Sequence, residues 1–152
     1  VKGAIFMKTL RDIMTTQVVT VTLQDNIYEI ASKMKEHGIG LIPVVEGKKV
    51  IGVVTDRDLV IRGYANKHSG STAVEEVMTS ECVKVSPDTT VDEAAKIMGD
   101  KKIRRLVVEQ NGELAGIVAI GDLALRRNFE NEAGDALSHI SEPGRELAGT
   151  VK

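Results

Sequence analysis

Gly52-Val53-Val54-Thr55-Asp56-Arg57-Asp58-Leu59 returns 64 positions later as Gly116-Ile117-Val118-Ala119-Ile120-Gly121-Asp122-Leu123. The same shift holds upstream without a gap. Met14-Thr15 falls on Met78-Thr79, Val19 and Val21 on Val83 and Val85, and Glu29, Ala31 and Met34 on Glu93, Ala95 and Met98. A period of this length is an internal duplication, and it sets the architecture before any local pattern is weighed. Where the halves agree, the fold is speaking; where they differ, function is sought.

Each octet reads as an apolar strand running into a helix. Upstream, Leu41 to Val45 turns through Glu46-Gly47-Lys48 into Val50 to Val54, and Leu106 to Glu109 turns through Asn111-Gly112 into Leu114 to Val118. Asn-Gly between apolar runs is a strong hairpin signal. Before each hairpin, Ile27, Ile30, Ala31 and Met34, and likewise Val91, Ala94, Ala95 and Met98, recur with helical period. Asn26 with Glu29 and Thr90 with Glu93 form capping boxes at the helix starts. The methionines on these stripes read as core. Earlier still, Val19, Val21 and Leu23 alternate with Thr20 and Thr22, and Val83 and Val85 with Lys84 and Ser86, the period of a half-buried strand. The fold class is therefore α/β (α+β), a β-α-β-β-α unit used twice. One unit alone leaves apolar strand surface exposed. Two units related by a pseudo-twofold axis, with their sheets packed together, would bury it.

The expected organisation is repeat one over 7–65, a polar linker over 66–72, repeat two over 73–129 and a tail over 130–152. The tail is expected to hold a short helix through Ile140, ended by Pro143-Gly144. Residues 1–6 have no counterpart in the second half, and Met7 follows them, so they read as an expression remnant.

Composition narrows the function. A net charge of −2 and a pI near 6.0 offer no attraction to nucleic acid or an anionic membrane. No run approaches the roughly 18 apolar residues of a membrane span, and no signal peptide is visible. The single cysteine, Cys82, excludes an intrachain disulfide and fits a reducing, cytoplasmic setting. It aligns with Val18 and reads as a small hydrophobe. The three histidines, His37, His68 and His139, lack metal-ligand spacing. His37 falls at a helix end, where a cation is favourable. Ser69, Ser71 and Ser138 lack a nucleophile-elbow context, and Glu36, Glu75, Glu76 and Asp100 read as solvated charge. No acid–base pair, metal set or phosphate loop is visible, so no enzyme is expected and no cofactor is required.

The candidate site is the end of the octet. Thr55 closes the strand, and Asp58 falls in the first helical turn. A carboxylate there can accept from ribose hydroxyls, as acidic residues do in other nucleotide sites, or it can merely stabilise the helix start. Gly52 permits either close packing or close approach of a ligand.

These features, with the Met-Thr openings and Pro43-Val44-Val45 in the middle strand, resemble a tandem pair of CBS domains, a Bateman module. The resemblance covers Leu10 to Phe129. It implies binding of an adenosyl ligand (AMP, ADP, ATP or S-adenosylmethionine) in clefts between the repeats, and association into a flat homodimer. Carried over, Asp58 would hold the ribose and Thr55 would face phosphate or ribose. The backbone of Thr20 and Val21, with Ile42 and Pro43, would line an adenine pocket. Repeat two keeps Asp122 but has Ala119 in place of Thr55, which weakens a second site. It also has Arg104-Arg105 where repeat one has Gly40-Leu41. The resemblance implies that basic residues there reach ligand phosphates across the pseudo-dyad, and a guanidinium fork suits that task. The alternative for both arginines is a solvated strand end or a dimer salt bridge. The implied function is a regulatory sensor acting through an unknown effector protein. The alternative is a scaffold of the same fold that binds no nucleotide.

Overall fold

The computed structural model describes residues 8–131, with side chains through residue 125. The leader 1–6 and the expected tail helix and Pro143-Gly144 stop lie outside the described residues. A short helix α1 (Leu10–Ile13) leads into α2 (Ile27–His37), then a hairpin of β1 (Leu41–Glu46) and β2 (Lys49–Thr55). A single α-turn, α3 (Asp56–Asp58), continues as a π-turn at Leu59–Gly63 and a 3-10 turn at Tyr64–Asn66. After a 3-10 turn at Val74–Glu76 come β3 (Lys84–Val85), α4 (Val91–Lys101), β4 (Arg105–Gln110), β5 (Glu113–Ala119) and α5 (Ile120–Asn131). The class is mixed helix and sheet with two repeats, as the duplication implied, and the full β-α-β-β-α order is seen in repeat two.

Two compact units emerge, and they do not coincide with the repeats. Among the described residues, one contains 8–14, Pro87–Leu106 and 117–131; the other contains Thr15–Ser86 and Val107–Gly116. The opening of repeat one therefore belongs with the helices of repeat two. Within the first unit, Thr9 bridges Thr90, Leu10 donates its N–H to the Thr89 carbonyl at 2.9 Å, and Val91 donates to the Lys8 carbonyl at 3.0 Å. Within the second, the equivalents 64 residues away repeat the pattern. Asn26 bridges Ala73, Val74 donates to Asp25 at 3.3 Å, and Ile27 donates to Thr72 at 3.0 Å. The first N–H groups of a helix have no partner inside it, and here they are met by the leading segment of the other repeat. The polar stretch 66–72 is part of this arrangement, because the Gly70 carbonyl accepts the Tyr28 N–H at 3.1 Å.

The expected helix caps form at both positions. Asn26 and Glu29 exchange bonds of 2.8 and 2.9 Å, and Thr90 and Glu93 bonds of 2.9 and 3.1 Å. Ala31 departs from its expected place: it is exposed, while Ile27, Ile30 and Met34 are buried. At 3.6 residues per turn the stripe leans toward Ile30, which leaves Ala31 on its outer flank.

The opening strand of repeat one is the larger departure. Only an isolated parallel bridge, Val21 to Val44, replaces the alternation over Val19 to Leu23, whereas repeat two forms β3 against β4. Pro43 explains the difference. In repeat two, Val107 donates its N–H to the Val83 carbonyl at 3.4 Å. The equivalent donor in repeat one would be Pro43, which has no N–H. Its carbonyl still accepts from Val21 at 3.1 Å, and Val45 donates to the Val21 carbonyl at 2.8 Å, so one bridge survives.

Core packing in the second unit is aliphatic. Val21, Ile30, Ile42, Val44, Val54, Val74 and Val77 form one buried cluster, and Val45, Val50, Val53 and Val107 form another, with Cys82 packed against it. The first unit buries Leu10, Val91, Ala94, Met98, Leu106, Val118 and Leu123. The β4–β5 turn is made by Asn111 and Gly112 at φ 54° and 79°, the left-handed pair that a two-residue hairpin loop requires. Among the described residues no helix is long and apolar enough to cross a membrane.

Gly52 marks the tightest approach. A Cβ there would lie 2.8 Å from the Thr79 carbonyl oxygen, so close packing is what its missing side chain permits. Gly52→Ala is expected to cost about 1–3 kcal/mol through overpacking, measured by urea denaturation. Gly121→Ala, with nothing within 4 Å of its Cβ position, is expected to be neutral or to stabilise α5 by up to about 1 kcal/mol.

Candidate functional site

Thr55 is the last residue of β2, pairing with Leu41 in the hairpin register, and it caps the turn that follows. Its Oγ1 accepts the Asp58 N–H at 3.1 Å, and its own N–H donates to Asp58 Oδ2 at 2.9 Å. The two residues therefore close a reciprocal capping box. Both are half-buried. The Thr79 hydroxyl, 3.5 Å away, also reaches Oδ2. The second carboxylate oxygen, Oδ1, has no hydrogen-bond partner among the described residues. Thr55 Oγ1, having accepted, still has a proton to donate. A carboxylate with one open oxygen thus sits beside two hydroxyls, all within one unit.

Val21 and Ile42 are fully enclosed in the core, and Pro43 is buried with them. They can shape a ligand cavity only through backbone and by fixing their neighbours. Val21 is bonded to β1 through both its N–H and its carbonyl. Successive residues of an extended chain turn their backbone groups to opposite sides, so those of Thr20 face away from β1, and they have no partner among the described residues. Thr20 itself is half-buried. The parallel bridge Val21–Val44 and the pairing Leu41–Thr55 place Thr20 and Thr55 on opposite sides of β1, toward the same end. Two strand spacings and the rise of two residues separate them, roughly 12 Å.

In the first unit, Ala119 donates its N–H to Asp122 Oδ2 at 2.9 Å. This is half of the same box, and the hydroxyl half is missing because Ala119 has no acceptor. Arg104 and Arg105 are exposed, and neither guanidinium has an ion-pair or hydrogen-bond partner among the described residues. The Arg104 carbonyl accepts from Ile120 at 2.8 Å, the counterpart of Gly40 accepting from Asp56 at 3.0 Å.

Two contacts were not visible as local pattern. Thr79 reaches Asp58 from 21 residues downstream, although its place in the repeated Met-Thr pair marked it as special. Arg62 donates from Nη1 to the carbonyls of Met78 at 2.9 Å and Val77 at 3.3 Å, and nothing in its neighbourhood announced that. Cys82 is half-buried. Burial pushes its thiol pKa up, and the nearby Lys84 ammonium opposes the shift only in part. Thiolate character is what makes a cysteine reactive, so this one is a packing group. Lys84 itself is committed, donating to the Val50 carbonyl at 2.9 Å and pairing with Glu109 at 3.7 Å. Among the described residues no group of three or more His, Cys, Asp or Glu side chains could hold a metal ion.

The CBS domain family model matches residues 10–63 and again residues 74–127. Two Bacillus subtilis proteins are each 44% identical to this chain: YlbB over 138 residues, 90% of this chain and 93% of its own length, and the CBS domain-containing protein YhcV over 135 residues, 89% and 96%. Among solved structures, the CBS domain pair of protein MJ0100 in complex with 5′-methylthioadenosine and S-adenosyl-L-methionine is similar at a TM-score of 0.72 and 26% identity, covering 83% of this chain and 98% of that one.

The box separates folding from binding by mutation. Thr55→Ala is expected to lose about 1 kcal/mol of stability through the lost cap. Ala119→Thr, which completes the box in repeat two, is expected to gain about 0.5–1 kcal/mol. Urea midpoints of both variants check the pair.

Proposed function

The chain belongs to the CBS-domain family, and we propose that it is a regulatory sensor for an adenosyl ligand of the AMP, ADP, ATP or S-adenosylmethionine class. The observation that carries this reading is the Asp58 carboxylate, held through Oδ2 and open at Oδ1, beside the Thr55 hydroxyl. Vicinal ribose hydroxyls are two adjacent donors, and an ionised carboxylate makes stronger hydrogen bonds to them than a neutral acceptor would. The unpartnered backbone N–H and carbonyl of Thr20 offer one donor and one acceptor to the edge of a base. Their roughly 12 Å separation from Thr55 suits an extended nucleoside. That MJ0100 binds two adenosyl compounds on the same fold supports the same ligand class.

Arg104 and Arg105 are proposed as the anion-binding groups, for a phosphate or an amino-acid carboxylate. Asp122, without a hydroxyl at position 119, is proposed as a weaker second binding residue. No catalytic step is assigned. The output is a shift in association with a separate effector protein, and its size is set by how differently the ligand binds the two states.

A second reading, a scaffold that binds no nucleotide, is favoured by one observation: Asp58 and Thr55 already satisfy each other as a cap. Both readings include a homodimer. Tyr28, Val60, Ile61 and Tyr64 are 69%, 56%, 49% and 83% exposed. They lie on helical segments that touch where the Cβ position of Gly63 is 3.4 Å from Ile27 Cδ1. Apolar and aromatic surface of this kind suits an interface with a second copy.

In a thermal-shift screen of protein stripped of carried-over ligand, saturating AMP, ADP, ATP, NAD, S-adenosylmethionine or 5′-methylthioadenosine is expected to raise the melting temperature by about 5 °C or more for at least one compound. Asp58→Ala is expected to abolish the shift and keep the fold. No shift in the wild type with any compound would leave the scaffold reading standing. For the interface, Tyr64→Asp is expected to convert dimer to monomer in sedimentation velocity; an unchanged sedimentation coefficient would remove this face from the dimer.

A further inference from the structure

Thr79 is the second residue of the Met-Thr pair that opens repeat two. In the structure this pair lies as a strap against the end of the repeat-one hairpin. Thr79 donates its N–H to the Val53 carbonyl at 2.8 Å, and its carbonyl accepts the Val53 N–H at 2.9 Å. Arg62 holds the strap from the other side through the carbonyls of Val77 and Met78. One hold comes from the strand that leads into Asp58, and the other from the helical segment that leaves it. Between them they aim the Thr79 hydroxyl at Asp58 Oδ2.

A carboxylate held by one donor can still swing, because its terminal torsion is broad and roughly two-fold. The Thr55 N–H fixes where Oδ2 sits. A second donor on the same oxygen, arriving from a different segment, fixes the plane and so the direction of Oδ1. We propose that Thr79, seated by Arg62, is a positioning residue that presents Asp58 Oδ1 to the vicinal hydroxyls of a ribose. This deepens the adenosyl-ligand reading and rests on it. It also gives the bound ligand a mechanical route, because whatever Asp58 feels is passed directly to the opening segment of the other repeat.

A positioning role predicts more than weaker binding; it predicts lost discrimination at the ribose. The test is calorimetry on the full chain with AMP, ATP and S-adenosylmethionine, each paired with its 2′-deoxyadenosyl counterpart. Thr79→Val is expected to lower the preference for ribose over deoxyribose by about fivefold to tenfold, the worth of one hydrogen bond. Thr79→Ser is expected to retain the preference, and Arg62→Gln to lower it in the same direction by a smaller factor. Circular dichroism confirms folding, and Thr79→Ala serves if the valine variant is unstable. A lowered melting temperature with both sugars weakened equally would make Thr79 merely structural and overturn the inference alone. A wild type that binds none of the compounds would overturn the adenosyl reading, and the inference with it.

Discussion

The structure depends on a debt at the start of each repeat's first helix. The leading N–H groups of α2 and α4 have no partners within their own helices, and the local caps Asn26 and Thr90 take only those of Glu29 and Glu93. Ile27 and Tyr28 bond to the carbonyls of Thr72 and Gly70, just ahead of repeat two, while Val91 bonds to the carbonyl of Lys8, at the start of repeat one. Buried or half-buried backbone donors must be satisfied somewhere, and here each repeat satisfies the other's. The bridges Thr9–Thr90 and Asn26–Ala73 fix the register of the exchange. A single copy of about 64 residues would keep its capping box but lose the partners of the first N–H groups of its helix, so the duplication contributes directly to the fold. The boundaries of the compact units follow from this, cutting after Met14 and after Ser86 instead of at the linker.

Much of the fold was legible because its signals are local. The capping boxes, the Asn111-Gly112 turn and the apolar stripes each lie within a few residues of what they specify, and the duplication allowed each to be read twice. What escaped was non-local. The alternation of Val19, Val21 and Leu23 is a true strand pattern, but whether it can pair is decided by Pro43, two dozen positions away. The exchange of opening segments has no sequence pattern of its own, since backbone bridges use atoms that every residue carries. The segment 66–72 reads as a polar linker by composition, which says nothing of its Thr72 and Gly70 carbonyls accepting from the start of α2.

The candidate site shows the same division. Thr55 and Asp58 were legible as a pair because a cap and a ligand site draw on one spacing, and the structure shows the cap. Thr20 was legible as a position, but the reason its backbone is available, the parallel bridge at Val21, is a tertiary fact. Ile42 and Val21 illustrate the opposite limit. Their side chains belong to the core, so any part they take in a pocket wall is played by backbone, which no side-chain pattern announces. Thr79 was marked by repetition without any indication of what its hydroxyl touches.

Repetition finally separates what the fold demands from what it does not. Asp122 still takes the Ala119 N–H at 2.9 Å, the same length as the bond from Thr55 to Asp58, so the carboxylate alone suffices to turn β5 into α5. Repeat two folds without a hydroxyl at that place. The Thr55 hydroxyl is therefore surplus to the turn: it improves a cap that its counterpart does without. A group that the architecture can spare, set beside an open carboxylate oxygen and a second hydroxyl brought in by the other repeat, is where chemistry beyond folding has room to act. The asymmetry between Thr55 and Ala119 thus points to the repeat-one end of the duplication as the stronger place for a ligand.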